Sequence, residues 1–168
     1  MHLEADYLIV GAGAVGLAFA DTLLDETDAD ILILDRHGQP GGHWNDAYPF
    51  VSLHQPSAFY GVASTPLGSD RIDQTGPNAG YYELASGPEV TAYFGHVMQH
   101  RLLASGRVRY LPMTDYQGAG RAVSLLSGEE HSVHVRRKTV DATYYGTTVP
   151  STHTPKFEIA PGVRMMPP

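Results

Sequence analysis

Apolar and polar positions alternate between two periods along this chain, and the order of the periods predicts its elements. Ala5-Asp6-Tyr7-Leu8-Ile9-Val10 reads as a buried strand, Val15 to Leu24 as the helix after it, and Ile31-Leu32-Ile33-Leu34 as a second strand. After Pro88 the spacing of three and four returns in Val90, Tyr93, Phe94, Val97, Met98 and Leu102, one buried helix face that Gly106 stops. Val108-Arg109-Tyr110-Leu111 reads as a third parallel strand, returning to the sheet beside the first. Farther on, Val133 and Val135 alternate with Ser132, His134 and Arg136, and Ser127-Gly128-Glu129-Glu130 sits before them as a turn, so a hairpin is expected. Gly118-Ala119-Gly120-Arg121-Ala122-Val123 imitates a glycine fingerprint but lacks its third glycine and is followed by alternation. Strands linked by helices give an α/β class, Rossmann-like, with a parallel sheet of βαβ units.

The turn between the first strand and its helix carries chemistry. It reads Gly11-Ala12-Gly13-Ala14-Val15-Gly16, and the second strand ends on Asp35, about 20 residues on. Gly11 permits the tight turn, Gly13 leaves room for a pyrophosphate, and Gly16 lets the helix pack closely on the sheet. The helix N-terminus offers unpaired N–H groups to phosphates, and Asp35 can accept hydrogen bonds from an adenosine ribose. Strand, triplet, helix, strand and acid in this order predict a dinucleotide site.

Composition narrows the classes. At 168 residues, 42% hydrophobic, one domain with a real core is expected. A net charge of −7 argues against a nucleic-acid partner. With no cysteine, disulfides, thiolate catalysis and zinc–sulfur sites are excluded. No basic leader precedes the first strand and no apolar run approaches a membrane span, so a soluble cytoplasmic protein without membrane contact is the expectation. Gly68 to Gly87 shows no period, a lid or a disordered loop in which Tyr81-Tyr82 either covers a ligand or pins the loop to the body. His96 and His100 have metal-ligand spacing but lack a third ligand, and a solvated helix face is the better reading; no metal site is expected.

After Asp35 the chain does not run into a second helix. It reads Arg36-His37-Gly38-Gln39-Pro40-Gly41-Gly42-His43-Trp44, then an irregular segment with Tyr48-Pro49 and Val51-Ser52-Leu53-His54-Gln55-Pro56-Ser57. Here the sequence resembles the flavin-containing monooxygenases and their Baeyer–Villiger relatives, over roughly residues 5 to 145. In them a Gly-Gly-x-Trp element follows the acid, and here it is Gly41-Gly42-His43-Trp44. Tyr48-Pro49 looks like the family's Tyr-Pro-Gly with Phe50 for glycine, and Gln55 falls at an asparagine position near the flavin. The resemblance implies FAD as cofactor and NADPH as its reductant in the full-length parent. A flavin hydroperoxide would then oxygenate a small organic substrate. It implies cofactor contacts from Gly11, Gly13, Ala14, Val15, Gly16, Asp35, Arg36, Gly42, His43 and Trp44, with Gln55 as the catalytic candidate. Trp44 also reads as a core aromatic, and His54 and Gln55 as ordinary loop residues.

The resemblance further implies a small antiparallel β-meander at about 116–138, with Lys138 to Tyr145 as the strand leading back out. Asp141-Ala142-Thr143 looks like the family's Ala-Thr-Gly strand end, with Tyr144 where glycine is usual. Residues 1–146 are then one FAD-binding domain and 147–168 a proline-rich tail leading toward a second domain, so that the chain reads as the N-terminal portion of a larger flavoprotein. Two other readings stay open: an NAD-dependent dehydrogenase, against which the missing βαβ repeat after residue 40 counts, and a non-catalytic dinucleotide-binding fragment. An exposed sheet edge would favour self-association.

Overall fold

The computed structural model describes residues 1–143 and 156–165. Strand β1 (His2–Val10) leads into α1 (Ala14–Glu26) and β2 (Ile31–Leu34). A long connection follows, with short 3₁₀ turns at Gly42–Asn45 and Ser57–Phe59 and a two-stranded ribbon of β3 (Gly61–Val62) and β4 (Thr65–Pro66). Helix α2 (Gly87–His96) runs on through a π-helical turn, Val97–Leu102, and a 3₁₀ turn, Leu103–Ser105. The chain closes with β5 (Val108–Leu111), β6 (Thr114–Gly118), β7 (Arg121–Ser124) and β8 (Glu130–Asp141).

One six-stranded sheet holds these together in the order β5-β2-β1-β8-β7-β6. β5, β2, β1 and β8 are parallel, while β8, β7 and β6 pair antiparallel as the meander. The expected place of Val108–Leu111 needs correction. β5 is parallel, but it lies beside β2, with Ile33 opposite Tyr110, and the second neighbour of β1 is β8. Burial explains the difference. Three of the four β5 residues keep some exposure, as suits an edge, whereas Leu8 and Ile9 of β1 are fully buried and need a strand on either side. The exit strand and the last meander strand are also one element, because β8 runs unbroken through Lys138. Its expected continuation through Tyr144 and Tyr145, and much of the 147–168 tail, lie outside the described residues.

The two faces of the sheet carry separate cores. Ile9, Ile31 and Ile33 pack under Leu17, Ala20, Leu24 of α1 and Val90, Phe94, Val97 and Met98 of the second helix. Leu8, Leu32 and Leu34 face the other way, onto Ala122 of β7 and Val133 of β8. An irregular register between Ala5 and Tyr7 of β1 puts Leu3 and Ala5 in this second cluster with Leu8. Burial of Phe94, Leu8 and Leu32 supplies the main driving force, on the order of 2 kcal/mol for each large side chain.

Sequence signals fix the helix ends. Before α2 the Glu89 carboxylate accepts the Ser86 N–H at 2.8 Å, and after it Gly106 takes the left-handed φ of 72° that ends a helix. The stretch 68–87 is stitched rather than structureless: Glu83 accepts from the Asp70 N–H at 3.0 Å, and Ile72 bridges Tyr82. Tyr81 and Tyr82 stay exposed. The rings of His96 and His100 lie 4.6 Å apart, and no metal-ligating cluster occurs among the described residues. No helix there is long and apolar enough to cross a membrane.

One buried charge ties the helices together. Asp21 of α1 is wholly buried and accepts from the Ser64 N–H at 3.0 Å, its hydroxyl at 2.6 Å and the Arg101 Nε at 3.0 Å. Burial opposes its ionisation, but the Ser64 and Arg101 donors outweigh burial and hold its pKa below the ordinary carboxylate value. A depressed folded-state pKa gives stability that is present above the unfolded value and is lost as pH falls through the folded one. The urea midpoint should therefore fall as pH drops from about 5 to about 2.5, more steeply in the wild type than in Asp21→Asn; equal slopes would mean that this carboxylate carries no share of acid sensitivity.

Candidate functional site

The carboxyl ends of β1, β2 and β8 open into a cleft of about 680 Å³. It sits where strand order reverses about β1, the place where open α/β sheets bind ligands. Its floor and walls come from Val10, Gly11, Gly13, Ala14 and Val15 of the first turn, Leu34 to His37 at the end of β2, Gly42, His43 and Asp46 after it, Tyr60, and Thr114 to Tyr116 of β6, with Ala142 and Thr143 beyond β8.

Local geometry shows why the first turn is built of small residues. Gly11 takes φ +106° while its N–H donates to the Leu34 carbonyl at 2.8 Å, and a Cβ there would meet Thr143 Cγ2 at 3.2 Å and Ala142 at 3.3 Å. A Cβ on Gly16 would run into the Gly11 carbonyl, so α1 packs on the strand end through a bare backbone. The Cβ direction of Gly13 is toward Gly42, whose own Cβ, at φ +56°, would come within 2.9 Å of the Gly13 Cα. The absent side chains at 13 and 42 thus let two turns touch. Gly13 caps α1 without a side-chain bond, and no acidic residue occupies the first turn of the helix. The free N–H groups there, with the positive end of the helix dipole, border the cleft through Ala14 and the exposed Val15.

Asp35 lines the same cleft beside the first turn and is only 6% exposed. Its Oδ2 accepts the Ala12 N–H at 2.5 Å; its Oδ1 accepts the His37 N–H at 2.7 Å and lies 2.9 Å from His37 Nδ1. An ionised carboxylate offers about four acceptor positions, so about one remains for a ligand hydroxyl. The far nitrogen of His37, Nε2, lies 3.0 Å from Asp46 Oδ2. Burial works against protonation of His37, yet the bonds to Asp46 and Asp35 outweigh it and raise its pKa above the ordinary value. Arg36 is exposed on the rim, 3.4 Å from Asp115. At the end of β8, the Thr143 hydroxyl and N–H both donate to Asp141 and hold that carboxyl below its usual pKa, which fixes Thr143 at the cleft. Burial, with the charge of Asp35 beside it, pushes the Tyr110 hydroxyl pKa up.

Of the residues singled out from sequence, Gly11, Gly13, Ala14, Val15, Asp35, Arg36, Gly42 and His43 line this one cleft. Gly16 lies in the helix behind it. Trp44 is a core residue, 9% exposed, with its indole N–H on the Tyr60 hydroxyl at 2.8 Å; it supports the wall through Tyr60. Gln55 is exposed and away from the lining. Sequence reasoning passed over the roles of His37, Asp46, Tyr60 and Thr114 to Tyr116, and marked Ala142 and Thr143 only as a strand end that resembles the family's. The Asp35-x-His37 spacing held a signal, since an aspartate at a strand end commonly accepts the N–H two residues on. Nothing local in 114–116 announces that β6 folds back to the end of β2.

Known proteins share this architecture. Residues 9–58 match the family model described as an NAD(P)-binding Rossmann-like domain. A Mycobacterium tuberculosis protein described as uncharacterised is 53% identical over 161 residues, covering 96% of this chain. The chain spans about 30% of the length of the curated relatives it matches in this way. Among solved structures, the flavin-containing monooxygenase of Stenotrophomonas maltophilia superposes with a TM-score of 0.56 at 22% identity, over 84% of this chain and 38% of that one. Cyclohexanone monooxygenase of Rhodococcus sp. Phi1, bound to NADP+, gives 0.52 at 19% identity, over 85% and 26%. The bacillithiol disulfide reductase of Staphylococcus aureus gives 0.55 at 12% identity, over 83% and 38%. At such identities the likeness is one of fold. The chain is an α/β protein whose residues 9–58 match the model of an NAD(P)-binding Rossmann-like domain, on a fold it shares with flavin-containing monooxygenase and cyclohexanone monooxygenase.

Proposed function

We propose that this chain is the FAD-binding portion of a flavin-dependent, monooxygenase-like oxidoreductase that acts on a small organic substrate with NADPH as reductant. One observation carries the reading: the uncapped N-terminus of α1 and the carboxylate of Asp35 face one cleft at the carboxyl ends of β1 and β2. These groups fit a dinucleotide. The N–H groups around Gly13, Ala14 and Val15 hold the pyrophosphate, and the remaining acceptor position of Asp35 takes a ribose hydroxyl. Arg36 adds a cation at the rim, and Gly42 and His43 shape the wall toward the flavin end. Bound FAD supplies the redox chemistry, passing electrons from the nicotinamide to oxygen; the protein positions it and keeps water out. Gln55 is not among the residues that line the cleft and takes no part in this reading. A nicotinamide dinucleotide alone in the same cleft is the second reading, favoured by the description of the matched family model. Self-association belongs to the proposal as well, because beyond Val133 strand β8 has a strand partner on one side only among the described residues.

The visible spectrum after incubation with FAD and gel filtration tests this directly. Retained flavin bands are expected; their absence, with NAD+ instead raising the melting temperature, would favour the second reading. Val15→Glu sharpens the test, since an acid in the first turn of α1 leaves the helix as stable or slightly more so yet repels a pyrophosphate. FAD affinity should drop at least about tenfold with an unchanged urea midpoint, and unchanged affinity would remove the helix end from the site. Light scattering should report a species larger than the monomer; a monodisperse monomer would rule out edge pairing.

A further inference from the structure

Three residues in the cleft form a chain whose state depends on one proton. His37 lies between two carboxylates, with Nδ1 2.9 Å from Asp35 Oδ1 and Nε2 3.0 Å from Asp46 Oδ2. Ionised carboxylates only accept, and a neutral imidazole has a single N–H, so both bonds form together only in the imidazolium. All three residues line the cleft. We propose that His37, as the imidazolium, is a positioning residue that locks Asp35 to the turn carrying Gly42, His43 and Asp46, so that affinity for an adenine dinucleotide falls when His37 loses a proton. This rests on the reading of the cleft as a dinucleotide site.

Exposure decides which bond is given up. Asp35 is 6% exposed and cannot turn to water, whereas Asp46 is 59% exposed and can. Deprotonation therefore frees the Asp46 end of the turn. Its other end stays tied, because the Gly41 N–H donates to the Ala12 carbonyl at 2.9 Å. Between these two ties the Trp44 indole N–H donates to the Tyr60 hydroxyl and Asn45 donates to the Gly42 carbonyl, so the release is confined to Asp46 and the side of the wall it shares with His37.

The charges around His37 act in the same direction. Asp35 and Arg36 face it from its own segment, His43 and Asp46 from the turn, and Asp115 from β6, where it pairs with Arg36. Met113 and Thr114 approach through backbone bonds, their N–H groups donating to the His37 and Asp35 carbonyls at 3.0 and 2.8 Å. With His37 charged, two cations offset three carboxylates; with it neutral, only Arg36 remains, and the cleft becomes more hostile to a pyrophosphate. The raised pKa of His37 keeps the lock closed through more of the neutral range. By linkage, a dinucleotide that prefers the closed wall raises that pKa further.

The test is FAD affinity by flavin fluorescence across pH in the wild type, His37→Gln and Asp46→Asn, with the His37 ring titrated by NMR in the ligand-free chain. Wild-type affinity should weaken about tenfold from about pH 6 to about pH 8.5, the loss of one charge-assisted hydrogen bond. His37→Gln should be flat over that range, and Asp46→Asn should move the midpoint to lower pH. A flat wild-type profile, a slope that survives in His37→Gln, or a ring titrating at or below the ordinary histidine value of about 6.5 overturns the role of His37. Wild-type protein that binds none of FAD, NAD+ or NADP+ at any pH overturns the reading of the cleft, and this proposal with it.

Discussion

A carboxylate kept almost wholly from water, at the end of a parallel strand, must find donors within the protein or destabilise the fold by several kcal/mol. Asp35 finds them in the Ala12 N–H and in the backbone and ring of His37. That requirement organises the upper edge of the sheet. It ties the turn after β1 to the end of β2, fixes the direction in which the chain leaves β2, and brings Asp46 back through His37. The Gly11 N–H on Leu34 and the Ala142 N–H on Val10 complete the row, so that three strand ends share one network of bonds. The cleft is the space this network leaves beside the helix N-terminus.

Much of this was legible in the residues. Strand β2 falls at Ile31–Leu34 as its apolar run predicts, and α1 extends the predicted Val15–Leu24 by a residue or two at each end. Such segments announce themselves because local period and tertiary burial agree. The hairpin around Ser127–Glu130 was equally plain. The neighbour of β5 was not, because four alternating residues such as Val108–Leu111 pair equally well with either side of a parallel sheet. Only the demand of β1 for two neighbours settles the matter, and that demand is satisfied by β8, 120 residues away in the chain.

The site divides the same way. Glycines at 11, 13 and 42 were legible because each lies beside a strand end or in a Gly-Gly pair, where side-chain-free backbone has a clear use. Trp44 shows the limit of reading a residue by type. A lone tryptophan after two glycines suits a flavin contact as well as a core, and burial of its indole against Tyr60 is a property of the long connection that no periodicity encodes. His37 was hidden for another reason: its significance lies in having two carboxylates, one on each ring nitrogen, and the second arrives through a loop without regular structure.

The contact between Gly13 and Gly42 has a mechanical consequence. Two side chains in contact can change rotamer and let a gap widen or narrow, but two stretches of bare backbone have no such freedom. At that point the aperture is therefore a fixed gauge, set by van der Waals radii rather than by side-chain choice. Adjustment to a bound molecule falls to the side chains around that contact, such as Arg36, His43 and Asp46, which retain rotatable bonds. The slot is rigid where backbone meets backbone and compliant where side chains line it, so shape selection falls to the first and tolerance to the second.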